Sequence, residues 1–302
     1  MPEQKIKLME NGSELSRFSF GVWRLNDWKM TQSELEIHFK SVYDLGITTF
    51  DHADIYGSYT CEERWGEAIG HDKNFRNKIQ LVTKCGIKLV SPNRPDHKIK
   101  MYDTSRQHII NSVERSLKNL KTDYLDLLLI HRPDPFMNAD ETAETLTELI
   151  DSGKIRAAGV SNFNPSQIDL LASRMKYPLV TNQVECSLLH LDPLYNGVFD
   201  HCQKMKYPAM IWSPLAGGKI FNDPSERAQR VRKALEDLSV RYQVGTDQIA
   251  LAWLLAHPAH LLPVLGSGNF SRIESAVKSL SVKLSREDWF YLLKASTGND
   301  VP

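Results

Sequence analysis

The feature that most constrains the fold is a regular alternation of short apolar runs with longer segments of helical period. Eight apolar runs follow one another along the chain: residues 18–22, 47–50, 79–82, 124–130, 155–160, 179–184, 209–212 and 261–265. The run 125–130 is almost continuously apolar, as is typical of a strand covered on both faces. Eight strands separated by helices predict a parallel (β/α)8 TIM barrel, and a doubly wound sheet with miscounted strands is the alternative.

Additional elements are predicted around the barrel. The helical pattern is clearest in residues 104–119, 139–151, 165–175 and 247–257. Asn11-Gly12 lies between two apolar stretches, which predicts an N-terminal β-hairpin. Further helical patterns at 226–242 and 286–293 predict extra helices after the seventh strand and at the C-terminus. Because no linker or repeat interrupts the pattern, residues 1–302 are expected to form one domain.

Charge and cysteine content narrow the classes of function. Lys plus Arg and Asp plus Glu both total 37, so a nucleic-acid partner is not favoured. The four cysteines are scattered without a C-x-x-C pair, and the first ten residues lack the apolar run of a signal peptide. No window approaches the roughly 18 apolar residues of a membrane span. We therefore expect a cytoplasmic protein with free thiols and no membrane partner, whereas oligomeric state is not indicated.

Polar side chains collect where three consecutive predicted strands end. Asp51 and Tyr56 follow the second strand, Lys84 the third and His131 the fourth. In a parallel barrel the active site lies at the carboxyl ends of the strands. Each residue alone has an ordinary structural explanation, such as a helix cap for the aspartate or a core position for the histidine. Their convergence on one rim favours a catalytic site.

These four side-chain types can together polarise and protonate a carbonyl group. A phenol has a pKa of about 10; a nearby ammonium lowers it, and a carboxylate would hold that ammonium charged and in place. An imidazole can donate a hydrogen bond to a carbonyl oxygen that gains negative charge. Because no side chain delivers hydride, this chemistry implies a nicotinamide cofactor.

Several sequence motifs resemble those of the aldo-keto reductases. They are Gly46-Ile-Thr-Thr-Phe-Asp51, Ala53-Asp-Ile-Tyr56-Gly57, Thr83-Lys84, Leu128-Leu-Ile-His131-Arg-Pro133, Gly153-Lys-Ile-Arg-Ala-Ala-Gly-Val-Ser161-Asn162-Phe163 and Asn182-Gln183-Val-Glu185. The motifs occur in the family's order over nearly the whole chain, with the family's spacing from the aspartate to the tyrosine. The segments 51–57 and 131–135 are most similar to the YdhF-like bacterial oxidoreductases.

The resemblance implies an NADP-dependent reductase of small aldehydes or ketones. It implies a catalytic tetrad of Asp51, Tyr56, Lys84 and His131, with Tyr56 as general acid, and no metal. The implied NADP(H)-binding residues are Ser161, Asn162 and Gln183 for the carboxamide, Trp212 as the ring that stacks on the nicotinamide, Ser213, Pro214, Leu215, Gly217 and Gly218 for the pyrophosphate, and Ser267, Asn269 and Arg272 near the 2′-phosphate.

Two departures from the family pattern bear on specificity. The residue after Asp51 is commonly threonine, but here it is His52, whose ring could face substrate or support the site. Many members carry a lysine or arginine near residues 268–269, whereas this chain keeps only Arg272. A preference for NADPH over NADH is still expected. Substrate specificity should come from rim loops, where Trp23, Trp28, Tyr102 and Phe136 suggest an aromatic pocket.

Two other functions compete with this prediction. Asp51, His52 and Asp54 could be ligands of a metal-dependent barrel hydrolase, although the later strands end in Ser, Asn, Gln and Trp rather than further ligands. The chain could also be a non-enzymatic NADPH-binding regulatory subunit, because some relatives of the aldo-keto reductases serve potassium channels while keeping the tetrad. Turnover of a simple aldehyde separates the enzyme from the subunit.

Overall fold

The computed structural model describes residues 5–8 and 14–302. The strands are β1 (Lys5–Lys7), β2 (Glu14–Ser16), β3 (Ser19–Gly21), β4 (Thr49–Asp51), β5 (Gln80–Cys85), β6 (Ile87–Lys88), β7 (Met101–Tyr102), β8 (Leu127–Ile130), β9 (Ala158–Ser161), β10 (Leu179–Glu185), β11 (Ala209–Trp212) and β12 (Leu262–Leu265). The α-helices are α1 (Gln32–Asp44), α2 (Cys61–Ile69), α3 (Lys73–Arg76), α4 (Arg106–Leu120), α5 (Ala139–Asp151), α6 (Pro165–Ala172), α7 (Val198–Met205), α8 (Lys219–Asn222), α9 (Glu226–Tyr242), α10 (Thr246–Leu255), α11 (Phe270–Lys278) and α12 (Arg286–Thr297).

Eight of the strands close into one parallel barrel, in the order β3, β4, β5, β8, β9, β10, β11 and β12. The predicted TIM barrel is therefore confirmed. Strand β5 continues to Cys85, three residues beyond its predicted end, so Lys84 belongs to the strand itself. Strand β8 begins at Leu127, later than the predicted start at Tyr124.

The predicted additions to the barrel are also present. Helices α8 and α9 are inserted after β11, and α12 follows the last barrel helix, α11. Helix α12 continues to Thr297, four residues past its predicted end, and α6 ends at Ala172 rather than at residue 175. Strands β1 and β2 pair antiparallel, whereas the predicted Asn11-Gly12 turn lies outside the described residues.

The hairpin fills one end of the barrel. Leu8 and Leu15 are buried and pack in one cluster with Val82, Leu129 and Met210 from the barrel strands. Burial of apolar surface stabilises by about 25 cal/mol per Å², so this cluster closes the amino-terminal end against water. Water can therefore reach the barrel interior chiefly from the carboxyl end, where the polar side chains lie.

Alternation along the strands carries side chains from this apolar layer up to the rim. Residues two apart on a strand point to the same face. Val82 is therefore followed by Lys84 on the inner face of β5, and Leu129 by His131 just past β8. The same two-residue step leads from Met210 to Trp212 on β11. An apolar base thus supports a polar rim.

The helices pack on the outside of the strands. Thr31 and Glu34 form a capping box at the start of α1, which satisfies two backbone amides that the helix leaves unpaired. Between α2 and α4 the backbones approach so closely that a Cβ on Gly66 would lie 1.9 Å from the carbonyl oxygen of Asn119, so only glycine fits there. In the described part of the chain, none of the helices has the length and apolar character needed to cross a membrane.

Candidate active site

Lys84 is the centre of the site. Its buried Nζ lies 2.8 and 2.7 Å from the two carboxylate oxygens of Asp51 and 3.2 Å from the hydroxyl of Tyr56, and it donates to the carbonyl oxygen of His52 at 2.7 Å. Burial alone would lower the pKa of Lys84, but the charge of Asp51 together with Tyr56 raises it above its ordinary value. Lys84 therefore stays charged although it is buried.

Tyr56 lies at the end of this chain of contacts. Burial raises the pKa of the phenol, and the neighbouring Lys84 offsets that effect only in part. The sequence suggested that Lys84 would lower the pKa below its ordinary value; the direction is reversed because the desolvation of the phenolate outweighs the attraction of an ammonium already paired with Asp51. The hydroxyl accordingly remains protonated throughout the neutral range.

His131 stands beside Tyr56, with the two ring centroids 6.1 Å apart and nearly perpendicular. Its Nδ1 is buried without a hydrogen-bond partner. Burial, with the positive charges of Lys84 and Arg132, holds the pKa of His131 well below its ordinary value. The ring is therefore a neutral imidazole, which can donate one hydrogen bond without carrying charge.

The residues expected to hold the carboxamide form a hydrogen-bonded group next to the tetrad. Gln183 donates from Nε2 to Asp51 at 2.8 Å, and the backbone carbonyl oxygen of Gln183 accepts from the Ser161 hydroxyl at 2.8 Å. Asn162 donates to the Ser161 hydroxyl and accepts from the indole N–H of Trp212 at 3.0 Å. Asn162 has a left-handed backbone, with φ of 63°, a conformation that asparagine adopts more readily than most residues other than glycine.

The segment that follows Trp212 combines packing with exposed backbone. Pro214 is buried, and Leu215 packs against the hydrophobic core, whereas Ser213 has a left-handed backbone. Gly217 and Gly218 have φ of 65° and 95°, and a Cβ on Gly218 would meet no atom within 4 Å. The backbone at these two positions can therefore be approached closely by a ligand, although the Gly218 N–H itself donates to the carbonyl oxygen of Leu215 at 2.9 Å.

Arg24 lies opposite this glycine pair, although the sequence alone does not indicate that Arg24 belongs to the site. A Cβ built on Gly217 would be 3.5 Å from an Nη atom of Arg24, whose guanidinium also lies 5.6 Å from the centre of the Trp23 ring. The sequence feature that could have indicated Arg24 is its position, as a cation just after the first barrel strand. It was missed because nothing in the sequence indicates that this loop reaches the one after β11.

The third predicted group lies at the start of α11. The Asn269 side chain caps the helix by accepting from the backbone N–H of Arg272, and the backbone N–H of Asn269 donates to the Ser267 hydroxyl. The Ser267 hydroxyl oxygen and the Asn269 Oδ1 thus already accept hydrogen bonds at the helix start. Arg272 is exposed, and Trp28 packs directly against Gly268.

His52 does not face the cleft. Its ring is fully buried and packs edge-on against Trp65 of α2, with centroids 5.4 Å apart, and neither ring nitrogen has a hydrogen-bond partner. Burial lowers its pKa to about 3. The residue contributes its carbonyl oxygen to Lys84, while its ring belongs to the layer between strands and helices.

This arrangement gives no support to the metal-site alternative. Asp51 is paired with Lys84, and His52 packs against Trp65. Asp54 is buried close enough to Glu62 for the two carboxyl groups to interact electrostatically. Across residues 5–8 and 14–302, no group of three His, Cys, Asp or Glu side chains could hold a metal ion. The three residues considered as ligands therefore do not converge on a common point.

The segment after Tyr56 is held by the predicted rim loop of residues 87–103, a contact that the sequence did not indicate. Gly57, Ser58 and Tyr59 all have left-handed backbones, with φ of 57°, 55° and 73°. The Tyr59 hydroxyl accepts the backbone N–H of Leu89 at 2.7 Å, and the Ser58 carbonyl accepts from Asn93 at 2.9 Å. Such strained residues persist only where surrounding contacts over-determine them.

The geometry agrees with the comparison with known proteins. The model of the Aldo/keto reductase family matches residues 17–296. The chain belongs to the aldo-keto reductase family. Over 99% of its length it is 47% identical to the uncharacterized oxidoreductase YcsN of Bacillus subtilis (100% of that protein) and 45% identical to the oxidoreductase YdhF of Escherichia coli (99% of that protein). The similarity to the YdhF branch is thereby confirmed.

Two further matches describe what similar proteins do. A 6-dehydroglucose reductase of Agrobacterium fabrum is 42% identical, with 99% of each chain covered. The crystal structure of the thermostable aldo-keto reductase Tm1743 superposes with a TM-score of 0.82 at 28% identity, covering 97% of this chain and all of that one. This aldo-keto reductase is accordingly an oxidoreductase that reduces carbonyl groups, and neither the hydrolase nor the regulatory-subunit alternative gains support.

Proposed function

We propose that this aldo-keto reductase uses NADP(H) to reduce aldehydes or ketones to alcohols, with Tyr56 as the proton donor. The observation that carries the proposal is the position of Lys84, whose ammonium contacts both the Asp51 carboxylate and the Tyr56 hydroxyl in a buried site. A permanently charged lysine at that place can stabilise a phenolate that forms only when Tyr56 gives up its proton.

The chain offers suitable groups for a dinucleotide phosphate along one side of the barrel. Gly217 and Gly218 carry no side chain that would cover the backbone, Arg24 lies opposite them, and Arg272 is exposed at the start of α11. Cations bind phosphates, and a backbone without side chains lets a phosphate approach closely. At the other end Trp212 presents an aromatic face beside the tetrad. When bound there, NADPH would supply the hydride that no side chain can deliver.

The roles of the tetrad follow from its contacts. Tyr56 holds a proton on its hydroxyl and transfers it to the carbonyl oxygen of the substrate, while Lys84 stabilises the phenolate left behind. Asp51 keeps Lys84 charged, and Gln183 donates a hydrogen bond that holds the Asp51 carboxylate in place. Neutral His131 orients the carbonyl oxygen by donating a hydrogen bond to it.

Two further observations bear on the substrate and on the cellular compartment. The similarity to a 6-dehydroglucose reductase supports a hydroxylated aldehyde as the first substrate to try. All four cysteines are buried and unpaired, which fits a reducing compartment such as the cytoplasm.

The experiment is NADPH oxidation with a panel of aldehydes, ketones and quinones, comparing wild type with Tyr56→Phe. The variant keeps the ring and its packing but has no transferable proton, so kcat should fall by about 10²- to 10⁴-fold, while the Kd for NADPH stays within twofold. A variant that keeps more than about a tenth of the wild-type kcat would falsify the assignment of the proton donor. NADPH binding without turnover of any carbonyl would instead indicate a regulatory subunit.

A further inference from the structure

Arg132 directly follows His131, at the mouth of the proposed active site. Its guanidinium carbon lies 5.8 Å from the centre of the Trp212 ring, and the side chain is only partly exposed. In residues 5–8 and 14–302, no carboxylate lies within ion-pair distance of it and no hydrogen-bond acceptor contacts it within the protein. It is therefore a cation held at the rim with its N–H donors available.

Two arginines that stack on Tyr124 provide a contrast with Arg132. Arg76 and Arg156 lie 3.9 and 3.8 Å from the centre of the Tyr124 ring, and both also pair with the carboxylate of Asp126. The aromatic contact and the neutralising carboxylate occur together there. Arg132 has the aromatic contact without the carboxylate.

The other charged groups near Arg132 do not compensate its positive charge. Lys84 is neutralised by Asp51 at 2.7 Å, and His131 is neutral, so Arg132 is left as an uncompensated positive charge beside the reacting groups. A partly desolvated cation gains most from a ligand that supplies oxygen acceptors. The planar fork of a guanidinium suits a carboxylate, which accepts two parallel hydrogen bonds, and it also donates to hydroxyl oxygens.

We infer that Arg132 is a specificity-determining residue, which selects carbonyl substrates that carry oxygen acceptors a few bonds from the reacting carbon. The inference rests on the proposed function, because it concerns the same cleft. Carboxylates and hydroxyls both supply oxygen acceptors, but they differ in how strongly they bind a guanidinium. A hydrogen bond to a charged group is worth about one to two decades in affinity; a carboxylate, which accepts two such bonds and carries the opposite charge, should lie at the upper end of that range and a hydroxyl at the lower end.

Three four-carbon aldehydes separate these cases: succinic semialdehyde with a carboxylate, erythrose with hydroxyls, and butanal with neither. For wild type and Arg132→Met, kcat/KM is measured for each aldehyde at saturating NADPH. The preference for succinic semialdehyde over butanal should fall by about 100-fold, and the preference for erythrose over butanal by about 10-fold. Arg132→Lys, which keeps the charge and loses the fork, should restore part of the first preference.

The matched control is Arg286→Met. Arg286 also lies over an aromatic ring, 5.5 Å from the centre of Phe290, on the outer helix α12. This variant should keep both preferences of the wild type. A second readout is the acidic limb of the pH profile, which should move upward in Arg132→Met because a positive charge that lowers the pKa of His131 is removed.

Three outcomes would overturn the inference. Preferences in Arg132→Met within twofold of wild type would show that the guanidinium does not read the substrate. An equal loss of kcat/KM for all three aldehydes would make Arg132 a support for His131 or Trp212, and a matching loss of NADPH affinity would assign it to the cofactor. Failure of the wild type to reduce any aldehyde would instead refute the proposed function.

Discussion

The ammonium of Lys84 lies 3.2 Å from the hydroxyl oxygen of Tyr56, and yet the pKa of Tyr56 is above its ordinary value. Lys84 is already engaged with both oxygens of Asp51, so its charge is largely balanced before the phenol is considered. The contact therefore does little to ionise Tyr56 at rest. In the proposed mechanism, the contact acts by stabilising the phenolate at the moment of proton transfer.

The pH dependence of carbonyl reduction follows from these directions. A phenol with a raised pKa keeps its proton through neutral pH, so kcat/KM should stay level and fall only above the ordinary tyrosine range of about 10. Because the pKa of His131 is well below its ordinary value, no loss is expected between pH 7 and about 6. The measurement is kcat/KM for one aldehyde across the stability range. A loss of activity with its midpoint near pH 7 would contradict the pKa shifts assigned to Tyr56 and His131.

Lys84→Met should be as damaging as the loss of the tyrosine hydroxyl. The variant removes the charge that stabilises the phenolate and leaves the Asp51 carboxylate buried without its cation, so kcat should fall by about 10²-fold or more and the unfolding temperature should drop. The alkaline limb should move to still higher pH. The control is Lys88→Met, a rim lysine whose partner is Asp103; comparable losses in both variants would argue against a special role for Lys84.

NADPH should quench tryptophan fluorescence through Trp212. The indole is held by Asn162 at 3.0 Å beside the tetrad, where a nicotinamide would contact its face. Trp212→Ala should weaken NADPH binding and remove part of the quench, whereas Trp212→Phe should lose the signal and keep more of the affinity. Fluorescence titration measures both. An unchanged quench in Trp212→Ala would locate the stacking residue elsewhere.

Arg272 should account for much of a preference for NADPH over NADH. Its exposed side chain stands at the start of α11, and a charge-assisted hydrogen bond to the 2′-phosphate is worth roughly one to two decades of affinity. Arg272→Ala should weaken NADPH by that amount and leave NADH nearly unaffected, as measured by isothermal titration. Lys278→Ala, at the other end of the helix, is the control. Equal losses for both cofactors would contradict the role.

His52→Phe should stabilise the protein, most of all in acid. Both ring nitrogens are buried without partners against Trp65, so an apolar ring removes a desolvation cost of about 1–3 kcal/mol. The pKa of about 3 in the folded state lies below the ordinary value of about 6.5 in the unfolded chain. The histidine therefore costs stability progressively as pH falls from the higher value to the lower.

Urea unfolding at several pH values measures this effect. The free energy of unfolding of His52→Phe should depend less on pH between about 6.5 and 3 than that of wild type. The exposed His71 provides the control variant His71→Phe, which should keep the wild-type slope. A destabilised His52→Phe protein with an unaltered slope would mean that the ring nitrogens are satisfied in solution.

The order of elements and the members of the tetrad could be predicted from the sequence alone. Apolar runs of strand length alternating with helical segments specify a parallel barrel, and polar residues just after the runs are carried to its carboxyl rim. The convergence of Asp51, Tyr56, Lys84 and His131 on one rim was predicted in this way, whereas the role of Trp212 was implied only by the resemblance to the family. The two-residue period of a strand determines which of its side chains point inward, and that period is a local property of the chain.

Contacts between segments far apart in sequence were decided only by the tertiary structure. The ring of His52 lies against Trp65, Arg24 reaches the glycine pair after β11, and Arg132 lies over Trp212 without a carboxylate. The direction in which the pKa of Tyr56 is shifted was also decided only by the tertiary structure. Each depends on how much water the surrounding elements exclude and on which remote charge is already paired, and neither quantity is encoded in the residues that immediately flank the site.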